Sequence, residues 1–413
     1  MLVHWIWLAT RPALTDRQTM SLLHRFPDAE DVFFASQDSY ADVDGMTAEG
    51  AESLADKDLS EAQSILDECI RNRIGICTYT DAMYPARLKN IADPPVVLYY
   101  RGNMAGLDAQ PVIAVVGTRK ASAYGMTTAS RMGYQIARCG GILVSGLAEG
   151  IDGSAMKGAL TAGGSIIGVL GCGVDVVYPA CNRSLYLDTE RNGCLISEFP
   201  PGTPPYRWNF PKRNRIISGL SNGALVIEAP GKSGSLITAR LALDQGRDVF
   251  VVPGNIDVPT CQGSNALLRD GAIAVSSGWD VLSEYEHLYP GKVHRDNTAP
   301  GQSIAAEEYK EKTTLQVAQK SALHHEKTAS GKKNEKKPVD KDENKPYHDA
   351  KALWSSLTEQ EQALLEPLKQ GQTTVDEIIA ASGLPTGKVL SMLTMLQIRG
   401  VVRLLPGKRI SLK

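Results

Sequence analysis

Eight short apolar runs recur between residues 96 and 275 of this 413-residue chain: VVLYY (96–100), VIAVVG (112–117), GILVSG (141–146), SIIGVLG (165–171), CLISEF (194–199), ALVIEA (224–229), DVFVVPG (248–254) and AIAV (272–275). A strand with one wet face alternates apolar and polar residues. A continuous run rich in β-branched residues belongs to a strand covered on both faces. Stretches of helical period separate most of the runs. The pattern predicts an α/β fold built on a doubly wound, mainly parallel sheet spanning 73–288.

The flanks differ from this middle. Residues 1–72 carry apolar residues at helical spacing in LTDRQTMSLLHRF and LSEAQSILDECIRNR, which predicts a small helical domain. Between them, GMTAEGAESL is similar to a helix-hairpin-helix turn, a device that grips a DNA backbone through its amides. Few basic residues accompany it, which favours a packing module. Residues 289–350 are charged and lysine-rich, with EKTASGKKNEKKPVDKDENKP almost free of apolar residues, and read as a flexible linker. Residues 351–413 predict three helices and a hairpin, a winged-helix layout. The third helix offers Lys388, Gln397 and Arg399 among Ser, Thr, Leu and Met. Base reading asks for more polar and cationic side chains than that.

The net charge is −2, so nucleic-acid binding has to come from a local patch. The seven cysteines form no CxxC pair, which argues for reduced thiols in a cytoplasm and against structural zinc. MLVHWIWLATR is apolar but lacks a basic leader and is too short to span a bilayer. A soluble, cytoplasmic protein without membrane contact is expected.

Ligands of an open parallel sheet sit at the carboxyl ends of its strands. VIAVVG ends in GTRKASAYG, placing Gly117, Arg119 and Lys120 at a strand exit and Ser122 to Gly125 at a helix start. GILVSG ends in GLAEGIDGSA, with Gly146, Gly150 and Asp152. ALVIEA ends in PGKSGSLITA, with Lys232, Ser233, Gly234 and Ser235. Free amides at helix starts favour an anion, and three such loops on one edge predict a phosphate cradle. No cofactor is expected. The first loop lacks the later glycines of a dinucleotide fingerprint, and Val226 stands where a Walker loop needs glycine. All seven histidines lie outside the core of the sheet domain, and no metal or catalytic site is expected. Asp152 and Glu228 could serve as bases, or could hold the loops in shape.

The stretch PPYRWNFPKRNR interleaves Tyr206, Arg207, Trp208 and Phe210 with Lys212, Arg213, Asn214 and Arg215. Charge for phosphates and flat faces for unstacked bases is what a single strand needs, and Tyr178 could join the stacking. The other reading is a surface loop capped by an amphipathic helix, with cations pointing away from the sheet edge.

Seven stretches resemble the DNA-processing protein A (DprA, also called Smf) family: VVGTRKAS, SGLAEGIDGSA, GCGVDVVYPACN, ISEFPPGTPP, FPKRNRIISGLS, EAPGKSGSLITARLALDQGRDVFVVPG and GSNALLRDGA. Their order and spacing cover the middle domain. The resemblance implies an extended Rossmann-like fold that binds single-stranded DNA without nucleotide hydrolysis. It also implies a homodimer that protects incoming DNA and places RecA recombinase on it during natural transformation. Carried over by residue, the implied DNA contacts are Gly117, Arg119, Gly146, Gly150, Asp152, Phe210, Arg213, Asn214, Arg215, Lys232, Ser233, Gly234 and Ser235. Met156 departs from the family pattern, which has histidine there. Two rivals remain: a Rossmann-like nucleoside-monophosphate hydrolase using the GKSGS loop with Glu228, and a regulator whose middle domain senses a ligand while its tail reads DNA.

Overall fold

A computed structural model describes residues 1–295 and separate stretches between 364 and 412. Two compact units emerge, Met1–Leu323 and His324–Lys413.

The first unit is organised by a nine-stranded sheet of order β1-β2-β6-β5-β4-β3-β7-β8-β9. Its strands are β1 Gly75–Thr78, β2 Val97–Gly102, β3 Val112–Val116, β4 Ile142–Ser145, β5 Ile166–Val169, β6 Gly193–Ser197, β7 Gly223–Val226, β8 Asp248–Val251 and β9 Ile273–Ala274. From β6 across to β9 every neighbouring pair is parallel. Strand β2 runs antiparallel to both β6 and β1. Each of the eight apolar runs supplies one strand. The ninth, GICT, was not read from the sequence, because four residues, only two of them buried, give too short a signal.

Alternation along each strand divides the core. Ile113 and Val115 of β3 face one hydrophobic cluster, while Val112, Ala114 and Val116 face the other. Six helices precede the sheet: α1 Leu2–Ala9, α2 Asp16–Arg25, α3 Ala29–Phe34, α4 Gln37–Ala41, α5 Ala48–Ala55 and α6 Ser60–Arg71. They bury Trp5, Trp7, Leu22 and Leu54 in the same cluster as Val97 and Tyr99 of β2. The helical segment therefore packs as a layer within one unit with the sheet. After α7 Ala86–Lys89 come α8 Ala123–Arg138, α9 Ile151–Thr161 and α10 Arg183–Asn192, then α11 Asn209–Leu220, α12 Gly234–Asp244, α13 Gln262–Arg269 and α14 Gly278–Leu282. Helices α8, α9, α10 and α14 contribute to the first cluster, whereas α7, α11 and α12 cover the second. This is the doubly wound arrangement.

In the second unit, β10 Thr373–Thr374, β11 Val402–Leu405 and β12 Arg409–Leu412 form a sheet of order β10-β12-β11, with α15 Val375–Ser382 following β10. Leu365, Ile378, Leu396 and Ile410 are among its core residues. Lys388, Gln397 and Arg399, and the linker beyond residue 295, lie outside the described residues. Among the described residues no helix is long and apolar enough to cross a membrane.

Candidate nucleic-acid interface

From β3 the chain winds outward through β4, β5 and β6, then returns to lay β7 on the other side of β3. The loops leaving β3 and β7 therefore diverge, and a crevice opens at their carboxyl ends. The loops that border it are bonded to one another. The Thr118 amide donates to the Glu228 carbonyl at 2.7 Å, and the Ile151 amide donates to the Thr118 carbonyl at 3.2 Å. Gly150, at φ +78°, makes the second contact possible, since a Cβ there would lie 2.3 Å from the Thr118 oxygen. Gly117 lets β3 exit against Ile151, where a Cβ would come within 2.5 Å.

Two of the three glycine-rich loops are already occupied by the protein's own carboxylates, which corrects the picture of a threefold amide cradle. Glu228 is fully buried and accepts from both the amide and the hydroxyl of Ser122, the cap of α8, and from the Thr260 hydroxyl. Gly125 packs directly on this carboxylate. The anion-favouring start of α8 is thus filled from within. Likewise Asp152 is buried and accepts from the Gly146 amide at 3.2 Å. Burial pushes the Asp152 carboxyl above the usual carboxylate range, with Arg213 opposing that shift. Gly146 and Asp152, expected at the ligand surface, instead build the loop from inside.

The third loop is open. Lys232 and Gly234 are exposed. Ser233 caps α12, its hydroxyl accepting from the Ser235 amide at 3.3 Å and lying 2.7 Å from the buried Ser235 hydroxyl. The positive end of an 11-residue helix faces the crevice beside Lys232.

Helix α11 closes the other wall. The Arg119 guanidinium lies 5.7 Å from the Phe210 ring centroid and that of Arg213 lies 5.9 Å from it, while Tyr178 packs on the ring at 5.3 Å. Arg119 is exposed, and neither it nor Lys120, Arg207 or Lys232 has an ion pair among the described residues. Arg213 is 5% exposed and donates to the carbonyls of Gly146 and Val169. Burial lowers it to about 10, with Asp152 resisting. Its charge sits beneath the rim, a correction to the direct phosphate contact expected of it. Gly146 admits that close approach, because a Cβ would meet the guanidinium at 2.5 Å. Asn214 accepts from Arg213 Nε at 3.3 Å and reaches the Gly234 carbonyl at 3.5 Å, linking α11 to the open loop.

Arg215 belongs elsewhere, and this too is a correction. Two positions on, it turns to other partners: Glu198, just past β6, accepts from both terminal nitrogens at 2.9 and 2.8 Å and Asp16 of α2 accepts at 3.2 Å. Asp93 stands 3.2 Å away. Burial alone would lower the Arg215 guanidinium, yet these carboxylates hold it above its ordinary value. Lys212 pairs with Asp16 at 3.2 Å and Glu198 at 3.5 Å. So the run Lys212 to Arg215 divides: Arg213 turns to the ends of β4 and β5, while Lys212 and Arg215 clamp the helical layer through Asp16. The partners Asp16 and Glu198 were missed, since no local pattern marks pairs separated by 199 and 17 positions.

A sequence model described as DNA recombination-mediator protein A matches residues 75–286, and one for the DprA winged helix domain matches residues 348–408. The DNA processing protein DprA of Bacillus subtilis is 45% identical over 201 residues, covering 49% of this chain and 68% of that protein. Its counterpart in Streptococcus pneumoniae is 42% identical over 223 residues, 54% of this chain and 73% of that protein. The X-ray structure of DNA processing protein A from Streptococcus pneumoniae superposes with a TM-score of 0.62 at 34% identity, covering 69% of this chain and 98% of that one. The departure at Met156 falls in the core, where its side chain is fully buried in α9. With a doubly wound sheet, a matching winged-helix segment and relatives of this identity, the chain belongs to the DNA recombination-mediator protein A family.

Proposed function

We propose that this chain is a scaffold that binds single-stranded DNA along the crevice between the β3 and β7 loops. In this reading it protects incoming DNA and loads RecA recombinase on it in natural transformation, as a cytoplasmic homodimer and without a catalytic step. The supporting observation is the placement of Arg119 and Lys232, exposed and without an ion pair among the described residues, on two loops tied together by the bond from Thr118 to Glu228. Arg119, Lys120 and Lys232 serve the phosphates, with the start of α12 supplying backbone polarity. Arg213 adds positive potential from below. Family relatives named for DNA processing support the same direction. RecA loading and the dimer rest on the family resemblance.

The hydrolase reading loses its proposed base. Glu228 is fully buried and its oxygens are engaged by Ser122 and Thr260, so it cannot meet a substrate water without dismantling the α8 cap. The test of the proposal is a titration of fluorescent oligo-dT and its duplex by anisotropy, in the full chain and in a chain lacking 351–413. The scaffold retains single-strand affinity in both. Loss of all binding on removing the tail would support the regulator instead. For loading, RecA is added to single strands already coated by a single-strand-binding protein; the chain should shorten the lag before RecA ATPase activity appears, and an unchanged lag contradicts it.

A further inference from the structure

Ahead of Phe210 stands a second aromatic element. Tyr206 and Trp208 stack with ring centroids 4.8 Å apart and planes within 7° of parallel. They are 45% and 71% exposed. Single exposed aromatics are common on protein surfaces. A parallel pair is different, because each ring fixes the plane of the other and leaves an outer face to water.

The pair is also held in place. The Asn209 amide donates to the Tyr206 carbonyl at 3.1 Å, and the buried Asn209 side chain donates to the Gly171 carbonyl at 3.1 Å. Trp208 is the residue from which α11 starts. A face fixed in this way costs little further ordering when a flat partner arrives. Phe210, by contrast, has both neighbouring guanidiniums and Tyr178 against its ring.

We infer that Trp208, backed by Tyr206, is a stacking platform for an unpaired base, displaced along the strand from the phosphates held at Arg119 and Lys232. The inference rests on the proposed single-strand function and deepens it by naming a second subsite. Charge favours this occupant over an apolar protein partner, since exposed Arg207 lies between the two rings in sequence and has no ion pair among the described residues. Every base has a flat face, so the platform is indifferent to sequence. A duplex keeps its bases stacked inside and cannot use it.

The test uses the full chain with Trp208→Ala and Trp208→Phe, oligo-dT of increasing length, and a matched duplex. The chain has five tryptophans, of which Trp5 and Trp7 are buried and Trp279 is partly buried, and the difference between wild type and Trp208→Phe isolates the emission change that exposed Trp208 contributes. In the wild type, emission falls as anisotropy reports binding, and Trp208→Phe removes that quenching while keeping most of the affinity. Trp208→Ala weakens single-strand binding by about 5- to 150-fold, the range of one stacked base, and leaves duplex affinity unchanged. The shortest oligomers that still bind give no quenching. Binding without quenching at any length, or equal affinity of Trp208→Ala and wild type, overturns the platform while leaving the wider reading intact. A Trp208→Ala protein that keeps its DNA affinity but loses a concentration-dependent oligomer assigns the pair to a contact between copies. If the wild type binds no oligomer, the proposed function fails first.

Discussion

Arg213 and Arg215, two positions apart on α11, reach different neighbours at the carboxyl edge of the sheet. Arg213 reaches the carbonyls of Gly146 and Val169 under the sheet edge, and Arg215 reaches Glu198 and Asp16 beneath the helical layer. Two residues on a helix are separated by about 200° of rotation, so one short run supplies both. The helix thus ties the N-terminal layer to the wall of the candidate DNA crevice.

Truncating Arg215 leaves Glu198, only 8% exposed at its side chain, without its principal cation. Loss of one partner from a buried pair costs about 3–5 kcal/mol. Arg215→Ala is expected to lower unfolding free energy by that amount in a urea titration, and Arg215→Lys by less. An effect below about 1 kcal/mol would show the clamp to be dispensable.

Lys212 looks like a DNA contact by sequence, yet its amine sits between Asp16 and Glu198. Lys212→Ala is therefore expected to leave the salt dependence of single-strand binding unchanged and to shift affinity less than about twofold. A flatter salt slope would return Lys212 to the interface.

Gly150 holds the 146–150 loop against the 118–119 loop at φ +78°. Any side chain there meets both backbone strain and the Thr118 carbonyl. Gly150→Ala is expected to cost at least about 1–3 kcal/mol and to weaken single-strand binding by separating loops that border the crevice. Unchanged melting and affinity would show that this contact does not set the rim.

Asp152 supplies a pH signature. Burial raises its carboxyl in the folded state above the unfolded value. A raised carboxyl keeps its proton more readily when folded, so the native state gains stability from it as pH falls from the raised value to the ordinary carboxylate range. The stability of the wild type relative to Asp152→Asn is expected to move in the wild type's favour over that interval. A difference that stays flat, or moves the other way, contradicts the direction.

How much of this was legible follows from the range of each signal. The apolar runs mark strands locally, so the sheet could be read from 112–116 or 223–226 without knowing what lies beside them. The crevice was legible because strand ends announce loops, and Arg119 and Lys232 stand where that rule puts them. The filling of two loops was legible only as one of two alternatives for Asp152 and Glu228. Glu228 and Asp152 look identical in sequence whether they face a ligand or their own amides, and only burial separates the two. Arg215 misled for a related reason: its partners come from Asp16 and Glu198, and long-range charge pairing leaves no periodic trace. Strand β1, antiparallel to β2, extends the sheet beyond what the run pattern defines, since GICT is short and only half-covered.

The central claim is that exposed cations without ion-pair partners among the described residues, converging at the β3 and β7 loops, hold the backbone of a single strand. Its most direct test is the salt dependence of oligo-dT binding for wild type and Arg119→Ala. Three contacts from Arg119, Lys120 and Lys232 give a slope of log affinity against log salt of about −2, and removing Arg119 flattens it by about 0.7 for every sequence tried. A wild-type slope near zero, or an Arg119→Ala slope equal to it, contradicts the account.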